Sequence, residues 1–152
     1  MLKAVNPATG QTVREVKTDT AAEVEQKIAK SLTAFQDWKE TSFETRAALL
    51  RKVAKYMRDN VETLGPVMTE EMGKVKKEAL GEIEKCAWVC RYYAEHSESF
   101  LNPEPVDTEM SESFISLRPL GVVLAIMPWN FPFWQVFRFA APALAAGNTC
   151  VI

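Results

Sequence analysis

The sequence predicts an α/β protein: an N-terminal helical region carrying a β-hairpin, then the first βαβ unit of a doubly wound parallel sheet, incomplete. Three observations predict it. Apolar residues recur at helical spacing through most of residues 20–100. From Gly121 the pattern becomes an unbroken β-branched run, then a helical stretch, then a second such run at Thr149. Charge also vanishes: of 38 charged residues, 37 lie in residues 1–118, and Arg138 is the single one in the last 34. A charge-free strand–helix–strand is expected where strands are buried on both faces of a parallel sheet.

Taken in order, Ala4-Val5 and Thr12–Val16 flank Asn6-Pro7-Ala8-Thr9-Gly10, a turn composition that predicts a hairpin. Thr20-x-x-Glu23 is a capping box for a helix with Val24, Ile28, Leu32 and Phe35 on one face. Thr41-x-x-Glu44 is expected to open a second helix, with Phe43, Ala47, Leu50, Ala54 and Met57 in register. A third, near Glu62–Met72, is expected to be disturbed at Gly65-Pro66 and closed by Gly73. A long fourth helix is predicted over Val75–Phe100, with Leu80, Ile83, Ala87, Cys90 and Ala94 as its apolar repeat. Asn102-Pro103-Glu104-Pro105 reads as a stiff connector and Ser113–Arg118 as a strand. Gly121–Ile126 is the first sheet strand, Pro132 opens the crossover helix, Gly147 closes it, and Thr149–Ile152 begins the next strand.

Composition excludes several function classes. With 152 residues and a net charge of −2, the chain is one domain with no basic stripe for nucleic acid. Three cysteines without a signal-peptide pattern predict thiols in a reducing, cytoplasmic setting. Pro119–Phe137 is uncharged, but Pro119, Gly121, Pro128, Asn130 and Pro132 break any membrane-spanning helix. Cys86 and Cys90, with only His96 nearby, fall short of a metal set; Cys150 reads as core, His96 as a surface residue, and Lys74, Lys76 and Lys77 as a solvated face.

Ligands of open α/β sheets gather beyond the carboxyl ends of strands, here Met127-Pro128-Trp129-Asn130-Phe131-Pro132. Two prolines stiffen this loop, which suits a preorganised site. Asn130 either donates its amide to an oxyanion or caps the turn; Trp129 is either a cofactor wall or core packing. On the following helix, Phe133, Phe137, Ala140 and Leu144 form a stripe expected to face the sheet. Phe131, Trp134, Gln135 and Arg138 form the other, expected to face the same way as Asn130. A mostly buried Arg138 requires an anion, either an internal acid or a substrate carboxylate.

The run Gly121-Val-Val-Leu-Ala-Ile-Met-Pro-Trp-Asn-Phe-Pro, continued through Ala141-Pro-Ala-Leu-Ala-Ala-Gly-Asn148, resembles the signature of the NAD(P)-dependent aldehyde dehydrogenase superfamily. Asn6–Gly10, Arg46, Glu71-Met-Gly-Lys74 and Gly81-Glu82 extend the resemblance over essentially the whole chain. Glu84–Glu95 and Phe133–Arg138 are most similar to the succinate-semialdehyde dehydrogenase branch. The resemblance implies a Rossmann-like cofactor domain, NAD or NADP as cofactor, and oxidation of a small aldehyde to a carboxylate through a cysteine thiohemiacetal. It implies a homodimer or homotetramer, with no nucleic-acid or membrane partner. It gives Asn130 the role of oxyanion donor and places Ile126, Met127, Pro128 and Trp129 beside the cofactor. Phe131, Trp134, Gln135 and Arg138 line the substrate tunnel, with Arg138 on the substrate carboxylate. Residues 1–106 then form the hairpin and helical part of the cofactor domain, 107–119 an oligomerisation strand, and 120–152 the start of the sheet. The family's nucleophile, base and glycine-rich turn have no counterpart here, so an inactive N-terminal piece is expected. The alternative is a non-catalytic assembly fragment that pairs with a longer subunit.

Overall fold

A computed structural model describes all residues, 1–152. Strands β1 (Leu2–Val5) and β2 (Thr12–Val16) pair antiparallel, Leu2 opposite Val16. Asn6 builds their turn: its Oδ1 accepts the Ala8 N–H at 2.9 Å and the Thr9 N–H at 3.3 Å.

Helix α1 (Ala21–Trp38) begins with the expected capping box. Thr20 Oγ1 accepts the Glu23 N–H at 3.3 Å, and the Glu23 carboxylate accepts the Thr20 N–H at 2.7 Å. The Thr20 backbone N–H, then its hydroxyl and Lys17, hold the Glu23 carboxyl below its ordinary range. The cap therefore stabilises above the usual carboxylate pKa and is lost as pH falls through the lowered one. Thr20→Ala is expected to cost about 1 kcal/mol, measured by urea denaturation. The stripe of α1 departs from expectation: Val24, Ile28 and Leu32 are exposed. The helix is anchored instead through backbone carbonyls, Ser31 accepting Thr149 Oγ1 at 3.1 Å. At its end, the Trp38 indole N–H donates to the Leu144 carbonyl at 3.0 Å.

Helix α2 (Phe43–Asp59) is capped by Ser42 rather than Thr41. The Thr41 hydroxyl is spent on the Trp38 carbonyl, 2.6 Å away, closing α1. Helix α3 (Val61–Met72) runs unbroken through Gly65-Pro66, against the expected disturbance. Its cohesion comes from packing: a Cβ on Gly65 would lie 2.6 Å from Leu80 Cδ2, so the glycine lets two helices touch. Gly73 ends it with φ +77. Helix α4 (Lys76–Leu101) is the central element. Leu50, Ala54 and Met57 of α2, Met68 of α3, and Ala79, Ile83, Cys86, Ala87 and Cys90 of α4 form one buried cluster.

The connector is not simply extended: β3 (Glu104–Pro105) pairs antiparallel with β4 (Phe114–Ile115), the only part of 113–118 in a ladder. Strands β5 (Val122–Leu124) and β6 (Thr149–Val151) are parallel, joined by helix α5 (Pro132–Ala145), giving the expected βαβ unit. Both strands are shorter than the apolar runs, and Leu124 is exposed, because a two-stranded sheet leaves a flank of each strand unpaired. The α5 stripe also turns differently: Phe133 and Phe137, with Ala141 and Ala145, pack on the helical cluster rather than chiefly on the sheet. Buried Asn148 ties the unit together, accepting the Leu120 and Gly121 N–H groups at 2.7 and 3.1 Å. Gly147 has φ +88, and a Cβ there would lie 2.3 Å from a guanidinium nitrogen of buried Arg46. Gly147→Ala is expected to lower stability by about 1–3 kcal/mol, seen as a lower Tm. No helix is long and apolar enough to cross a membrane.

Candidate active site

The loop after β5 is held at both ends. On the strand side, the Ala125 N–H donates to the Val151 carbonyl at 2.9 Å. On the helix side, Pro132 occupies the first position of α5, where its missing N–H costs nothing. Between them, Ile126 (86 % exposed) and Trp129 (78 % exposed) stand in the open. Asn130 is exposed at the turn that Trp129 and Asn130 make.

The first helical turn of α5 leaves backbone N–H groups without intrahelical partners. Phe131, at the N-cap, has no side-chain oxygen to accept them. Glu82 of α4 does so instead: its Oε1 accepts the Phe133 N–H at 3.0 Å and the Trp134 N–H at 2.9 Å. Its Oε2 is ion-paired with Lys74, and the two side chains are only 3 % and 7 % exposed. The Lys74 ammonium also lies 3.8 Å from the centre of the Phe131 ring, a cation–π contact. Lys74 is thus buried, against the expected solvated face; Lys76 and Lys77 are exposed. The sequence reading missed this pair as a site element. The signal was there: a helix that starts with Phe-Pro and has no Ser, Thr, Asp or Asn at its cap needs an acceptor from elsewhere.

The predicted site residues are spread over several places. Met127, Gln135 and Arg138 line one open depression with Phe139, Pro142 and Ala143. Trp129 lines a different, apolar groove of about 610 Å³ with Ala4, Met68, Met72, Phe133 and Phe137. Trp134 packs against the helical cluster, with the Lys85 ammonium 4.0 Å from its ring centre. Phe131 is exposed beneath Lys74, and Pro128 is exposed in the loop. Phe131, Trp134, Gln135 and Arg138 therefore do not form a single wall. Arg138 is exposed on α5 and joins no ion pair, so the expectation of a mostly buried guanidinium fails.

The thiols lie apart from this loop chemistry. Burial, then the Glu82 charge, pushes the Cys86 thiol up to about 12, and burial pushes Cys90 to about 11. Cys150 is half-buried, and desolvation raises it too. Since the thiolate is the reactive form, Cys86 and Cys90 are expected to resist iodoacetamide at pH 8 until the chain is unfolded, as read by mass spectrometry. His96 is half-buried, not free on the surface: its ring stacks on Tyr92 at 4.4 Å, and Nδ1 lies 2.8 Å from the Tyr92 carbonyl.

Comparison with known proteins agrees with this architecture. The model of the aldehyde dehydrogenase family matches residues 1–152. A probable NADP-dependent succinate-semialdehyde dehydrogenase of Synechocystis is 48 % identical over 97 % of this chain and 32 % of that protein. The succinate semialdehyde dehydrogenase Sad of Escherichia coli is 41 % identical over 95 % of the chain and 31 % of its own length. In three dimensions, the succinic semialdehyde dehydrogenase of Streptococcus pyogenes, solved with NADP⁺, superposes with a TM-score of 0.92 at 30 % identity, over 97 % of this chain and 33 % of that one. The chain thus spans about a third of the length of the relatives it matches. A family match from the first residue to the last, carried on a βαβ unit whose loop and helix follow the family's pattern, makes this chain a member of the aldehyde dehydrogenase family.

Proposed function

We propose that residues 1–152 form the N-terminal third of an NAD(P)-dependent aldehyde dehydrogenase acting on a small carboxylate-bearing aldehyde such as succinate semialdehyde. The observation that carries this reading is the loop itself, which presents Asn130 to solvent between two fixed ends at the carboxyl end of a parallel strand. The similarity to succinate-semialdehyde dehydrogenases supports the choice of substrate.

Each residue has a role in this reading. The Asn130 carboxamide donates to the oxyanion formed when a thiolate adds to the aldehyde. Gln135 and Arg138, beside Met127, face the depression that takes the distal carboxylate. Ile126, Met127, Pro128 and Trp129 form the edge against which the dinucleotide lies. Held there, NAD or NADP would supply the hydride acceptor. The thiols described do not fit the nucleophile's part: Cys86 and Cys90 are buried and held as thiols, and Cys150 lies in β6, half-buried and desolvated. Glu82, the acid beside the loop, is committed to Lys74 and two amides and is not available as a base. Residues 107–119, which carry exposed Met110, Phe114, Ile115 and Leu117, form the strand segment through which subunits assemble.

The test is completion. This chain, joined to the portion of the Synechocystis relative that follows its matched region, is expected to reduce NADP with succinate semialdehyde. The 152-residue chain alone is expected to show no aldehyde-dependent reduction. Turnover by the short chain, or none by a folded completed enzyme, overturns the proposal.

A further inference from the structure

We infer that the buried Glu82–Lys74 pair is the positioning device of the Asn130 loop. This rests on the proposed oxyanion role of Asn130 and deepens it. Oxyanion stabilisation works only if the donor is aimed before charge develops. Asn130 is exposed, so its aim must come from what precedes and follows it. The strand end is fixed by a sheet hydrogen bond; the helix end has no cap of its own.

Glu82 supplies the missing cap from a helix fifty residues upstream, through two charge-assisted bonds of 3.0 and 2.9 Å. A carboxylate there also matches the partial positive charge of a helix N-terminus. Lys74 neutralises the other oxygen and seats its ammonium on Phe131, the residue next to Asn130. One buried pair thus grips three points: the Phe131 ring and the amides of Phe133 and Trp134. A single buried carboxylate without Lys74 would carry an uncompensated charge, which is why the two residues work as a unit. Neither is a catalytic residue, since neither side chain reaches solvent where substrate would lie.

The experiment uses the completed enzyme. Glu82→Ala leaves Lys74 buried and unpaired and can unfold the protein, so the main variant replaces both, Lys74→Met with Glu82→Leu, which keeps the interior apolar and removes the cap. A misplacement of about 1 Å can cost about 100-fold in rate. The double variant is therefore expected to fold, to keep its KM for NADP, and to lose at least about tenfold in kcat. Lys74→Met with Glu82→Gln, which retains an acceptor oxygen for the two amides and strands no buried charge, is expected to recover part of that loss. Amide exchange at Phe133 and Trp134 reads the cap without any cofactor: protected in the parent, unprotected in the double variant. The decisive arm is Asn130→Ala. If the pair acts through Asn130, adding Lys74→Met and Glu82→Leu to Asn130→Ala lowers kcat no further. Additive losses, or a folded double variant with parental kcat, overturn the inference. Full turnover in Asn130→Ala alone refutes the oxyanion reading first, and the positioning role falls with it.

Discussion

Asn130→Ala in the completed enzyme is expected to lower kcat by about 10²–10³-fold with little change in cofactor affinity. The asymmetry follows from where Asn130 stands. Its side chain is at the turn, exposed, and outside the buried cluster that supports the fold. Removing it opens no cavity and strands no buried partner, so stability should change by less than about 0.5 kcal/mol. On the proposed role, what is lost is a donor that matters only while negative charge builds on the substrate oxygen. Removing a group that binds the transition state and not the ground state lowers kcat and kcat/KM together. Stopped-flow measurement of NADPH formation, with NADP binding followed separately by fluorescence quenching, separates the two quantities. Unchanged turnover would return Asn130 to the turn-capping alternative.

How much of this site was legible from sequence depends on whether the cause is local. The capping box at Thr20, the core positions Leu50, Ala54, Met57 and Cys90, and the βαβ order follow from periodicity and local spacing, and the structure has them; Cys150, read as core, is only half-buried. What failed needed partners far along the chain. Periodicity gave α1 an apolar stripe but not a neighbour to cover it, and Val24, Ile28 and Leu32 are exposed. Thr41 was expected to cap α2, but the carbonyl of Trp38 claims its hydroxyl and Ser42 caps the helix instead. Helical spacing put Phe131, Trp134, Gln135 and Arg138 on one stripe. In the fold, Phe131 and Trp134 sit instead against the ammonium groups of Lys74 and Lys85. Lys74 itself looked like one charge among three on a solvated face. Only the fold shows that Glu82, eight residues on, and the start of α5 meet it in the interior. Charges buried as a pair leave no mark in composition, because each residue type is ordinary on a surface.

Arg138→Ala is expected to separate substrates rather than to damage the enzyme generally. Its guanidinium is exposed beside Met127 and Gln135, and no acid of this chain pairs with it. It is also the single charge in residues 119–152, so no other cation of that segment can take over its role. A hydrogen-bonded ion pair with a carboxylate is worth about 1.5–3 kcal/mol, equivalent to about 10- to 100-fold in kcat/KM. That loss should fall on succinate semialdehyde. A neutral aldehyde of similar length, such as butanal, should change by less than about threefold, because it offers the guanidinium nothing to hold. Arg138→Lys should recover only part of the loss, since an ammonium keeps the charge but not the planar fork that meets both carboxylate oxygens. Steady-state kinetics of the three forms on the two aldehydes decide the matter. Equal losses on both substrates would mean that Arg138 shapes the depression instead of recognising a charge.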